Sequence, residues 1–321
     1  MDFRLNEDQL LFAQSVREYF AGTHGPDVLR RLDAEGNRDR AIWQGLADMG
    51  LTGLCVPEEH GGLGMGLIEA ALIAAECGRA CLAEPLVDTA FVMVPWLVDK
   101  AEPERLAMIL PGVVEGKATL NAVHPINPWE LNGHGEPLES IDPLRQLTTG
   151  EDNRADPLLL DLGALMSAAQ LAGLADAMLS QAVEYAKLRS QFGQPISGFQ
   201  AVKHQLASCA VAIEFAWPVV WRAAAALQER TGSASVHVSH AKLAATDAAI
   251  LTAETAIQVH GAMGYTYEVD LHFWMKRAWA LAGAWGSRAF HLKRVDAAVL
   301  GGDLPIGPEH TFGIAPGLHH Q

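Results

Sequence analysis

Apolar residues recur at helical spacing through most of this chain. Leu10, Leu11, Phe12, Val16 and Phe20 follow a 3.6-residue period, and Asn6 with Gln9 just ahead of them forms a capping-box signal. A second helical stretch covers about 41 to 50 and stops at Gly50. Pro57 and the glycines at 61, 62 and 64 then enforce a loop in "LTGLCVPEEHGGLG". Helical patterning returns over residues 67 to 80 and 86 to 98, so residues 1–110 read as an N-terminal helical domain.

Residues 111–160 break the pattern. Six of the sixteen prolines lie there beside five glycines, and "ATLNAV" (118 to 123) and "LRQLTT" (144 to 149) are the candidate strands. There is no room for a full sheet domain, so a reduced β or irregular segment is expected. From Asp161, a candidate N-cap, a long helix runs to about Arg189. Others span about Phe199 to Arg230, 233 to 260 and 268 to 299, with Gly261 suited to the third helix's C-terminal turn. Four antiparallel helices with short links make a bundle over 161–321. The expected fold class is mainly α.

Composition sharpens this picture. Alanine and leucine outnumber β-branched residues in most segments, which favours helix. Half the residues are apolar, enough for a large core or a substantial oligomer interface. The formal charge of −15 without a basic stripe argues against nucleic acid, whose binding needs clustered Lys and Arg. Cys55, Cys77, Cys81 and Cys209 form no CxxC pair and read as free thiols of a reducing compartment. The acidic, amphipathic start "MDFRLNEDQLLF" has no signal-peptide pattern, and the apolar run 158 to 179 is interrupted by Asp161, Gln170 and Asp176. A cytoplasmic protein without a membrane span is expected.

Two stretches carry candidate chemistry. In "YAKLRSQFGQPISGFQAVKHQLA" (185 to 207), Arg189 ends one helix, the chain turns at Phe192-Gly193, and Phe199-Gln200 opens the next. An arginine beside an exposed aromatic and free helix N–H groups suits a phosphate-and-purine ligand; a polar inter-helix corner is the bland alternative. In "AIQVHGAMGYTYEVDLHFWMKRA" (256 to 278), Gln258 and the flexible backbone at 261 to 264 allow close approach of a dinucleotide. His237 and His240 lack an evident third metal ligand, and His204 reads as a solvated or hydrogen-bonded histidine.

The chain resembles the acyl-CoA dehydrogenase family. Five segments carry the resemblance in the family's order: "LNEDQLLFAQSVREYF", "LADMGLTGLCVPEEHGGLG", "ECGRA", "YAKLRSQFGQPISGFQAVKHQLA" and "QVHGAMGYTYEVD". The resemblance implies a helical N-terminal domain, a central β-domain and a C-terminal four-helix bundle. It also implies α,β-dehydrogenation of an acyl-CoA, with a carboxylate taking the α-proton and a flavin taking the hydride. FAD would span a subunit interface, with Arg189, Phe192, Phe199 and Gln200 at its ADP portion. Gln258, His260, Gly261 and Ala262 would form the other cofactor contact, Ala262 replacing a usual glycine. An electron-transfer flavoprotein is a further partner the resemblance suggests.

Three departures stand against a complete enzyme. Trp285 falls where many members carry the catalytic glutamate, and an indole N–H only donates. Gly163 falls at the alternative base position on the first bundle helix, with Ala164 where an arginine usually follows. The middle segment is far shorter than the family's β-domain. No catalytic residue is therefore assigned, and the leading expectation is a supporting subunit of a hetero-oligomer, as in heterotetrameric members that shorten steroid side chains. The alternatives are a homo-oligomeric flavoenzyme with a relocated base, Glu268 first, and a flavin-free scaffold. Helix capping is the bland account of Glu268 and Asp270, and Glu254 is a further carboxylate. Steroid, branched and aromatic acyl groups all remain open.

Overall fold

The computed structural model describes residues 5–36, 39–131, 133–150, 155–302, 304 and 307. The first four residues of the acidic N-terminus lie outside them. Helix α1 (Glu7–Thr23) starts as its sequence dictates: Asn6 Oδ1 accepts the Gln9 N–H at 2.8 Å, and Gln9 Oε1 accepts the Asn6 N–H at 2.9 Å. Ala13, Val16 and Phe20 face the core, while Leu10 and Leu11 stay exposed. The helices α2 (Pro26–Glu35), α3 (Arg40–Asp48) and α4 (Leu67–Arg79) follow. A π-helical turn (Val87–Met93) then leads into α5 (Val94–Lys100). Helix α6 (Pro103–Val114) carries helical structure past residue 110 with Pro111 inside it.

The middle holds a small antiparallel sheet of β1 (Trp129–Leu131), β2 (Pro137–Leu138) and β3 (Leu147–Thr149), in the order β1-β3-β2. Trp129 pairs with Thr149, and Leu131 and Leu138 both with Leu147. The second candidate strand is thus found in part; residues 118 to 123 form none. Leu120 instead exchanges hydrogen bonds with the Thr89 hydroxyl, which satisfies the backbone without a ladder.

The bundle begins five residues before the expected cap. Asp156, not Asp161, caps α7 (Pro157–Leu188), accepting the Leu158 N–H at 2.8 Å, with Pro157 in the first turn. Asp161 is an interior buried acid held by Ser235 and by Arg294 at 2.8 Å. A two-residue hairpin of β4 (Ser190–Gln191) and β5 (Gln194–Pro195) leads to α8 (Gln200–Gln228), and α9 (Ala234–His260) returns. Helices α7 and α9 run parallel, because Asp161 meets Ser235 at one end and Tyr185 meets His260 at the other. The expected fourth helix is two, α10 (Leu271–Gly283) and α11 (Arg288–Leu300), broken at Ala284-Trp285-Gly286. Trp285 has φ +56°, which no α-helix accommodates, and Ser287 restarts the helix by capping Phe290.

Small residues let α7 cross α4 with backbones in contact. A Cβ on Gly173 would strike the Ala75 carbonyl, and one on Gly78 the Gln170 carbonyl. Helices α7 and α8 are both long and apolar enough to cross a membrane, but 89% of the most apolar window of α7 is buried inside this fold against 44% for α8. Val211 and Phe215 of α8 remain exposed.

Candidate functional site

The two positions that the family resemblance aligned with a base, Gly163 and Trp285, meet in space. Gly163 lies on the buried face of α7, and a Cβ built on it would fall inside the Trp285 indole. One side chain, 2% exposed, therefore fills the room of both. Its backbone is held in the left-handed region from two sides. The Trp285 N–H donates to Asn127 Oδ1 at 3.1 Å, and the Trp285 carbonyl lies 3.0 Å from His291 Nε2. A carbonyl only accepts, so Nε2 carries the proton and Nδ1 accepts from the Ser239 hydroxyl, 3.1 Å away. Burial first, then Lys242, pushes the His291 pKa down to about 4, which keeps this imidazole neutral.

Several buried charged groups lie near the segment that carries the indole. Lys242 is buried, donates to the Leu281 carbonyl, and is lowered to about 7 by desolvation, with Arg145 adding to the effect. Arg277 pairs with the buried Asp142 and donates to the Leu82 carbonyl at 2.7 Å, fastening the middle segment to α10. Asp88 faces Arg145 at 4.0 Å, and burial raises its carboxyl despite both arginines. The cavity that Trp285, Arg145, Arg277 and Asp88 line holds about 20 Å³, space for a single water. That space is too small for an acyl thioester.

The cofactor candidates form the opposite kind of place. Arg189 ends α7 exposed, and its carbonyl accepts the Ile196 N–H at 2.8 Å, which closes the hairpin. Phe192 occupies the tip at φ +52° and is 93% exposed; its ring meets Phe199 edge-on at 6.2 Å. Phe199 opens α8 without a side-chain cap, leaving first-turn N–H groups beside the exposed Gln200. At the end of α9, Gln258 and Ala262 are exposed, and Gly261 at φ +60° has open space where a side chain would project. His260, by contrast, is buried: Nδ1–H donates to the Ala256 carbonyl at 2.8 Å, and its ring stacks on Tyr185 at 4.2 Å. The Tyr185 hydroxyl donates to the His260 carbonyl at 3.3 Å. That contact joins the two sequence stretches, and sequence reasoning passed over it; the signal was an aromatic one turn before Arg189. The donors and open glycine fit the phosphates and aromatic rings of FAD's ADP end, presented outward rather than into this chain.

The remaining candidates lie elsewhere. Glu268 lines a separate cavity of about 530 Å³ with Arg17, His24, Glu76 and Trp274, not the cavity at Trp285. It caps no helix, and Asp270, at the N-cap position of α10, spends its carboxylate on Arg30 at 2.6–2.7 Å. His237 packs against Ser233 at 3.1 Å and Arg222 at 3.3 Å. Glu254 and His204 are exposed. The four cysteines are free; Cys77, Cys81 and Cys209 are buried, and desolvation raises the first two.

Comparison with known proteins agrees with the motifs. The acyl-CoA dehydrogenase N-terminal domain matches residues 6–117 and the C-terminal domain residues 158–300. The acyl-CoA dehydrogenase IpdE2 of Mycobacterium tuberculosis is 30% identical over 91% of this chain and 98% of its own. A structure of the ChsE4-ChsE5 complex from Mycobacterium tuberculosis shares the fold with a TM-score of 0.80, at 22% identity over 94% of this chain and 99% of that one. A variant of the Tcur3481-Tcur3483 steroid ACAD does so at 0.81, with 24% identity over 93% and 99%. With a match of this length on top of the ordered motifs and the helical bundle, the chain belongs to the acyl-CoA dehydrogenase family.

Proposed function

We propose that this chain is a supporting subunit of a hetero-oligomeric acyl-CoA dehydrogenase. It contributes Arg189, Phe192, Phe199, Gln200, Gln258, Gly261 and Ala262 to FAD bound mainly by a second, unlike subunit of the family, with the buried His260 behind them. That partner supplies the catalytic carboxylate and the acyl-CoA site. Acyl-CoA dehydrogenases are FAD flavoproteins, and FAD, when bound, accepts the hydride from the substrate's β-carbon.

One observation carries the reading. The indole of Trp285 fills the place of both bases and leaves about 20 Å³, while the cofactor corner stays open. Losing a general base costs about 10²–10⁴-fold in rate, and no carboxylate here faces a substrate-sized space beside Trp285 to replace it. The exposed Phe192 adds support, since a ring left 93% in solvent gains little burial within its own chain. Two fold neighbours are described as a complex and as a steroid ACAD, which makes a steroid-derived acyl-CoA the first substrate to try.

The test is flavin content per chain, for the protein alone and co-expressed with a neighbouring family subunit. The expected result is flavin only in the co-purifying complex, with fewer flavins than chains. Stoichiometric flavin and acyl-CoA turnover in the isolated chain would overturn the proposal.

A further inference from the structure

We infer that Tyr185 and His260 form a clamp that sets the spacing between the two halves of the cofactor corner, and that His260 acts through this clamp rather than by touching the cofactor. The inference rests on the reading above and assigns roles within it.

Four observations converge. Tyr185 lies one turn before Arg189, and its N-terminal neighbours anchor α7 in the core. Its ring stacks on His260 with centroids 4.2 Å apart and planes 27° from parallel. Its hydroxyl donates to the carbonyl of His260, the last residue of α9, at 3.3 Å. The next residue is Gly261, where φ +60° and ψ −134° turn the chain sharply into Gly261–Tyr265. The carbonyl that Tyr185 engages therefore belongs to the peptide unit at which the glycine turn departs.

His260 is built to be held. Its Nδ1–H is already given to Ala256, burial lowers its pKa and so favours the neutral ring, and only 5% of the residue is exposed. A neutral imidazole stacked on a phenol adds orientation without a net charge. Helices α7 and α9 are parallel, so a one-turn slip between them would move Arg189 by about 5 Å relative to Gly261. The stacked pair and the directional O–H bond oppose that slip at the very end of the bundle, where helices otherwise fray.

The experiment uses Tyr185→Phe, which keeps the ring, and Tyr185→Leu, which loses both contacts. Hydrogen exchange on the chain alone reads the clamp without any cofactor. Tyr185→Leu should speed exchange of the amides at 261–265 and 190–196 by about 10-fold or more, while Tyr185→Phe changes it only about 2- to 10-fold, the range of one net hydrogen bond. Titration of FAD into the apo complex should show the same ranking in affinity, with recovery in the conservative variant. Unchanged exchange at 261–265 in Tyr185→Leu would overturn the clamp. FAD affinity that falls equally for Phe and Leu would also overturn it, since a direct hydroxyl–cofactor contact would then be the cause. If the wild-type complex binds no FAD, the supporting-subunit reading fails, and the exchange data still decide the clamp.

Discussion

The neighbourhood of Trp285 and the corner at Arg189 are the two places the family resemblance singles out, and their packing is opposite. Around Trp285 space is closed: an indole fits against a glycine, and polar neighbours are turned to holding backbone. At the corner space is open: Phe192 stands 93% exposed at positive φ and Gly261 has nothing above it. A residue that loses its reaction can still serve packing, because burying an aromatic removes a large apolar area from water. A fully exposed, strained aromatic gains nothing comparable inside its own chain. The contrast separates residues that pack this chain's interior from residues its own packing does not use.

Trp285→Ala tests the closed side most strongly. It should lower unfolding free energy by about 3–5 kcal/mol in urea titrations, the usual loss for a buried tryptophan. Gly163→Ala alone should cost about 1–3 kcal/mol by overpacking against the indole. In the double variant that second cost should vanish, giving a coupling of ~1 kcal/mol or more. Additive losses would show that the two positions do not share one volume.

Lys242→Met comes next. The amine is held at about 7 in the folded chain against an ordinary 10.5. Between those values the unfolded chain keeps a proton that the folded chain lacks, so wild-type stability should rise as pH increases from about 7 towards 10.5. Below about 7 the folded protein carries the full cost of a buried ammonium. Lys242→Met should therefore be more stable by ~1 kcal/mol at pH 6 and lose that advantage by pH 10. A parallel pH profile for the two proteins would count against this.

Phe192→Gly should have the smallest effect on stability, under about 1 kcal/mol, because glycine relieves the left-handed strain while loosening the unfolded chain. Flavin retained by the complex should nonetheless fall. A loss of stability as large as that of Trp285→Ala would make Phe192 structural and dissolve the contrast between the regions.

The sequence shows local features well and long-range ones poorly. The Asn6–Gln9 box, the ends of α8 and α9 and the turn at Gly261 are all readable because each is set within a few residues. Asp161 looks like a cap because it precedes an apolar run; its true partners, Ser235 and Arg294, lie 74 and 133 positions away. The break at Trp285 hides inside a helical pattern, since the Asn127 side chain that holds it comes from the irregular middle segment. Ser287 was the local hint. Helix α6 runs through the boundary expected at residue 110, because Pro111 sits on the last turns of a helix already formed. In the corner, the candidates stood out by residue type, but only the fold reveals that His260 faces inward and Tyr185 binds it.

The shared volume of Trp285 and Gly163 also couples what the two positions can hold. A carboxylate returned at 285 would stand in an unfilled, dehydrated gap, and one introduced at 163 would collide with the ring. Each single step back is uphill, and only a paired exchange reaches the other side. The packing thus acts as a latch: neither position takes a carboxylate alone without emptying or overfilling the volume the two share.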